Sequence, residues 1–169
     1  MRVLPVIKAA AAGAALLIVA TPASAAVTTT NLSVTANVAT SCSVSTTAMA
    51  FGTYNSLSAA ADDATSTLNV TCTPGTTWAA TSGLGTGTGA TFAVRKMTIA
   101  STTNTLNYTL HTDSARTVLW GDGVAPNGSY TGTGNGAVQA STIYGRIAGS
   151  QNTAAVGSYA DTVVVTLTF

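Results

Sequence analysis

Glutamate does not occur in this 169-residue chain, and histidine occurs once, as His111. Charged residues make up only 7%, against roughly a quarter in an average soluble protein. Cysteine is limited to Cys42 and Cys72; one His and no further Cys make a metal site a poor reading. Only one long apolar run exists, residues 9–20, too short to span a bilayer. Arg2 and Lys8 precede that run and Ala23-Ser24-Ala25 follows it. Residues 1–25 therefore read as a secretory signal cleaved before Ala26, leaving no integral membrane segment. The remaining chain holds Arg95, Lys96, Arg116 and Arg146 against five Asp, a net charge of −1. That balance argues against nucleic acid and anionic membranes as partners. In an exported chain, Cys42 and Cys72 are expected to form a disulfide. Helical periodicity is missing as well. The glycine-rich residues 83–89 (GLGTGTG) are followed by strand pattern, not by the helix a phosphate loop requires.

What the chain has is Thr, Ser, Ala, Gly and Val, a composition of strands and tight turns. The fold class read from it is all-β, with a neutral, hydroxyl-covered surface. Residues 29–38 (TTNLSVTANV) alternate without a fault. Leu32, Val34, Ala36 and Val38 share one face, and Asn31, Ser33, Thr35 and Asn37 the other, which is the pattern of a half-buried strand. A second strand is expected over residues 39–44. Phe51 and Tyr54 follow as apolar anchors about a bend at Gly52, and residues 55–65, with Asp62-Asp63, read as a loop. Leu68, Val70 and Cys72 alternate over residues 66–73, which fits a bridge to Cys42 across a sandwich. Further strands are expected over residues 76–82, 90–99, 105–112, 117–121 and 141–149. Tight turns fall at Asn127-Gly128 and Asn135-Gly136.

The last stretch, residues 159–169, sets Val163, Val165, Leu167 and Phe169 in one apolar row. The sequence ends inside it, and the expected edge is neutral and hydrophobic, where proteins usually place charge or proline. A spare alternating first segment and an unprotected last strand point to strand addition between copies. In that reading residues 32, 34, 36 and 38 are donor positions, and residues 163, 165, 167 and 169 form the acceptor edge.

The order of features is also specific: Cys42, Phe51-Gly52-x-Tyr54, Val70-x-Cys72, Arg95-x-Met97, Leu106-x-Tyr108-x-Leu110, Trp120-Gly121, residues 143–147 (IYGRI), Gly157-x-Tyr159-x-Asp161 and the VTLTF ending. It resembles the spore coat protein U domain, shared with pilins of archaic (Csu-type) chaperone–usher pili, over essentially the whole exported chain. The resemblance implies an incomplete immunoglobulin-like sandwich lacking its last strand. A periplasmic chaperone would lend a strand, and an outer-membrane usher would exchange it for the N-terminal segment of a neighbouring pilin subunit. The donor would lie within residues 26–38, the domain over 39–169, and the disulfide at Cys42–Cys72. With room for one domain, the chain reads as a shaft or minor subunit of a surface fibre for adhesion and biofilm.

Other chemistry is weakly supported. His111 and Asp113 could belong to a Ser/His/Asp hydrolase, but no Gly-x-Ser-x-Gly elbow is present, and a lone His in a β-protein is usually at the surface. Asp62-Asp63 lacks the further carboxylates of a calcium loop. Arg116 and Arg146 are expected to pair with Asp113, Asp122 or Asp161, and Asp161 to cap a turn. Lys96 could form an isopeptide with an Asn, but the buried acid this usually wants, often Glu, is missing. No catalytic activity, metal or cofactor is expected. Two alternatives remain: a spore or cell-surface coat protein built on the same domain, and a monomeric carbohydrate-binding module using Trp78 or Trp120, which are more often core residues.

Overall fold

A computed structural model describes residues 22–169. Most of the secretory signal, residues 1–21, lies outside the described residues. The chain divides into a unit ending at Ala36 and a second unit, Asn37–Phe169. Within the first, residues 22–36 carry no helix or strand and are exposed throughout.

The second unit is all-β among the described residues, with nine strands: β1 (Cys42–Thr46), β2 (Asp62–Cys72), β3 (Thr77–Ser82), β4 (Arg95–Ile99), β5 (Thr105–His111), β6 (Tyr130–Thr133), β7 (Gln139–Ile147), β8 (Tyr159–Ala160) and β9 (Val165–Thr168). They form a six-stranded sheet in the order β1-β2-β7-β5-β4-β8 and a three-stranded sheet in the order β6-β3-β9. Every strand pair is antiparallel. The period-two patterns supply the inner faces. Leu68 and Val70 of β2, Leu106, Tyr108 and Leu110 of β5, and Ile143 and Ile147 of β7 meet Trp78 and Ala80 of β3 in one buried core.

Several expectations change. Residues 29–38 form no strand, and Leu32, Val34 and Val38 are each more than 80% exposed (87%, 82% and 81%). Alternation makes a segment fit for a sheet, but a strand exists only where a neighbouring edge takes its hydrogen bonds. The acidic start of β2 was expected to be loop. Instead Asp63 stands opposite Arg146 of β7 and accepts two hydrogen bonds from it, at 2.7 and 2.8 Å. This cross-strand charge pair carries the sheet into a sequence that looks like a turn. Residues 117–121 contribute only isolated bridges, His111 to Leu119 and Trp120 to Gly128, and residues 90–94 do not join β4. The final stretch is not one strand. β8 belongs to the larger sheet and β9 to the smaller, and residues 161–164 cross between them.

The disulfide is present between Cys42 and Cys72. It does not cross the sandwich, because the two residues lie directly opposite each other on the neighbouring strands β1 and β2. It staples the edge strand β1 to the body of its own sheet.

Candidate strand-acceptor groove

The two sheets leave one side open. β9 is bonded to β3 alone and β1 to β2 alone, so each is an edge strand among the described residues. Between them runs a groove of about 410 Å³. Thr46 and Thr47 at the end of β1 stand on one side, and Val163 and Val165 on the other. Leu110 of β5, Ile143 of β7 and Trp120 make the floor, and Met49 and Phe51 flank it. The lining is more apolar than polar, because it is built from inward positions of these strands, with Thr46, Thr47, Ser66, Asp161 and Thr162 adding polar groups. Phe51 packs edge-on to Tyr108, with ring centroids 6.3 Å apart. Gly145 of β7 makes room for that seat, since a Cβ there would strike Met49 Sδ and the Phe51 ring.

The charged end of the groove is Asp161. Its Oδ1 accepts hydrogen bonds from the Thr86 backbone N–H (2.6 Å), the Thr86 hydroxyl (2.7 Å) and its neighbour's N–H at Thr162 (2.7 Å). Its Oδ2 accepts from the Tyr108 hydroxyl at 2.7 Å. Burial pushes this carboxyl up, but the bonds from Thr86, Tyr108 and Thr162 outweigh burial and hold it below the usual carboxylate range. Burial, then the bond to Asp161, pushes the Tyr108 phenol well above its ordinary value. Asp161 was expected to cap a turn. It does more, tying the crossing between β8 and β9 to a distant loop and to β5.

Of the residues expected on the acceptor edge, Val163 and Val165 line the groove. Leu167 is half-buried against the core, and Phe169 is 57% exposed. The residues expected as donors, Leu32, Val34, Ala36 and Val38, are exposed. Sequence reasoning did not single out Leu110, Trp120, Ile143 or Met97 as groove residues. Their alternation marks an inward face, and nothing local says that the face lacks a cover.

The remaining candidates fall into structural roles. Trp78 is 6% exposed and Trp120 1%. Their Nε1–H groups donate to Gln139 Oε1 and to the Ala80 carbonyl, each at 3.1 Å. Neither offers an open ring face, which removes the sugar platform of the carbohydrate-binding alternative. His111 is buried at 7% exposure instead of lying at the surface. Its Nε2 pairs with the Thr109 hydroxyl at 2.9 Å, while Asp113 accepts from the backbone N–H groups of Thr117 and Val118. The serine–histidine–aspartate relay of a hydrolase is therefore not assembled at His111. Asp63 bridges Arg116 (3.3 Å) and Arg146 (2.7 Å), so the arginines converge on a residue other than the three expected, and Asp63 is engaged away from any calcium role. Lys96 donates to the Thr88 carbonyl at 3.2 Å. Among the described residues no group of three metal-capable side chains occurs.

A two-sheet sandwich with a groove beside two unpaired edges defines the class: an immunoglobulin-like domain lacking one strand. The chain belongs to the spore coat protein U family, whose Spore Coat Protein U domain model matches residues 28–166. Protein U of Myxococcus xanthus is 37% identical over 157 residues, a match covering 83% of this chain and 84% of that protein. Among solved structures, the crystal structure of the CsuC–CsuE chaperone–tip adhesion subunit pre-assembly complex from archaic chaperone–usher Csu pili of Acinetobacter baumannii contains a similar chain. The TM-score is 0.57 at 20% identity, and the match covers 78% of this chain but 40% of that one. This likeness carries the fold; the chain corresponds to less than half of its counterpart.

Proposed function

We propose that this protein is a structural subunit of a secreted surface fibre, assembled by donor-strand complementation and serving adhesion and biofilm formation. The observation that carries the reading is the apolar groove beside the unpaired edge of β9. In this account residues 32, 34, 36 and 38 of one copy enter the groove of the next. Their backbone pairs with β9, and Leu32, Val34 and Val38 each contribute about 1.5–3 kcal/mol on full burial. Ordering the free segment costs about 2–5 kcal/mol, so the balance favours assembly. The apolar groove is also a hazard for a lone subunit. A periplasmic chaperone that lends a strand, and an outer-membrane usher that exchanges it for a neighbour's segment, meet that need. The partners are thus homologous pilin subunits, the chaperone and the usher, and the destination is the cell surface. No catalysis and no cofactor enter this scheme.

The likeness to Protein U favours a second destination for the same assembly, a coat deposited on a spore or cell surface. Electron microscopy of the native assembly separates the two: extended fibres support the first, a continuous layer the second. The test of the shared mechanism is the size of the secreted protein with and without residues 26–38. The full form should give a heat-sensitive ladder of multimers on unboiled gels, and the shortened form none. Equally stable monomers in both cases would end the donor-strand reading.

A further inference from the structure

Arg95 is fully buried, at 0% exposure, and opens β4 opposite Tyr108 of β5. Buried arginines are normally matched by a carboxylate, but the guanidinium of Arg95 bonds only to neutral acceptors. Nη2 donates to the Ser82 hydroxyl at 2.8 Å and to the Trp120 carbonyl at 2.7 Å, and Nη1 donates to the Gly83 carbonyl. The Nε–H is buried with no partner. Burial holds this guanidinium below its ordinary pKa, and the nearby Tyr108 and Asp161 offset part of that. A well-packed apolar side chain could serve stability as well. What it could not do is bond three points at once from one rigid plane.

Two of those points belong to the opposite layer, while the third, Trp120, is held on β5 through its N–H to the Leu110 carbonyl at 2.8 Å. Ser82 ends β3 and Gly83 follows it. Gly83 N–H in turn donates to the Val164 carbonyl at 2.8 Å, one residue before β9. Ser82 N–H donates to the Gly121 carbonyl at 2.9 Å, beside Trp120. Arg95 thus links β4 of the large sheet to the end of β3, to the groove floor at Trp120 and, through Gly83, to the rim that carries Val163 and Val165. An apolar groove open to water is driven to close, because bringing its walls together removes apolar surface from solvent. A brace of fixed length at one end resists that closure.

We propose that Arg95 is a positioning residue that fixes the end of β3 and the adjoining β9 rim against β4 and Trp120, so that the groove is formed before a donor arrives. This rests on the donor-strand reading above and adds to it how the acceptor is kept receptive. Preorganisation of this kind acts on the rate of capture more than on the fold.

The test uses the full exported chain with Val34→Asp, which disables its own donor stretch, and a fluorescent peptide of residues 27–38. Association is followed by anisotropy. Arg95→Met should slow peptide capture by about tenfold or more. Arg95→Lys should slow it to a similar degree, because an ammonium keeps the charge but not the planar fork. Ile147→Ala, a core truncation away from the groove lining, sets the slowing that destabilisation alone produces. Capture by both Arg95 variants at the parent's rate, or at the rate of Ile147→Ala, overturns the proposal. If Arg95→Met does not fold, Ser82→Ala, which removes one acceptor, must still capture peptide more slowly than the parent and the Ile147→Ala control. A parent chain that captures no peptide removes the donor-strand reading itself and this inference with it, a result distinct from equal rates among variants.

Discussion

Burial holds the His111 imidazole below its ordinary value of 6.5; Asp113 pulls it back up, while Arg116 and Arg146 add to the lowering. The unfolded chain takes up this proton more readily than the folded one. Stability from the neutral ring is therefore complete above pH 6.5 and falls as pH drops toward the lower folded value. The carboxylates act in a second window. The bond from Arg146 leads in holding Asp63 below its ordinary 3.8, and the backbone N–H groups of Thr117 and Val118 hold Asp113 at about 2. Their contribution is present above pH 3.8 and is lost between there and about pH 2. A urea-midpoint series against pH should thus show two descents. In His111→Gln the upper descent should vanish and the lower one remain; a parent series flat from neutral pH down to 3.8 would contradict the assignment to His111.

At the scale of elements, the disulfide and Gly145 each secure one side of the groove. The Cys42–Cys72 bridge closes a loop of sequence separation 30, worth about 3.5 kcal/mol in the chain-entropy model. Replacing both cysteines by serine should lower unfolding free energy by roughly that amount, measured by denaturant titration, with β1 released first in hydrogen exchange. Gly145→Val should displace Met49 and Phe51 from their seat on β7 and weaken peptide capture; capture unchanged in that variant would mean the seat is dispensable. The strands themselves were largely legible. The face of Leu68, Val70 and Cys72 and that of Leu106, Tyr108 and Leu110 are inward as their alternation implies. The failures have remote causes. Asp62-Asp63 looks like a loop until Arg146, 83 residues from Asp63, is opposite. β6 is short and carries Gly132 within it, so its pattern is faint. Residues 159–169 read as one strand because Asp161's anchors, Thr86 and Tyr108, are 75 and 53 residues away.

Residues 37–169 form a sandwich whose sheets are joined at the crossing between β8 and β9 and in which β9 and β1 are unpaired edges. The alternation of residues 31–38 and of β9 was legible, since period two is a local property. The groove was not, because it arises from the order of strands in two sheets, and no short stretch encodes the position where a strand is missing. The central claim is that residues 32–38 of one copy occupy the groove of another. Its most direct measurement is a trap: Val34→Cys placed in the same chain as a cysteine at position 163, 165 or 167, one pairing per variant, followed by mild oxidation and boiling without reductant. The account predicts a ladder of covalent multimers that survives boiling for at least one of the three pairings and collapses to monomer on reduction. Boiled monomer alone in all three, from protein that forms multimers when unboiled, would contradict it and place the contact between copies elsewhere.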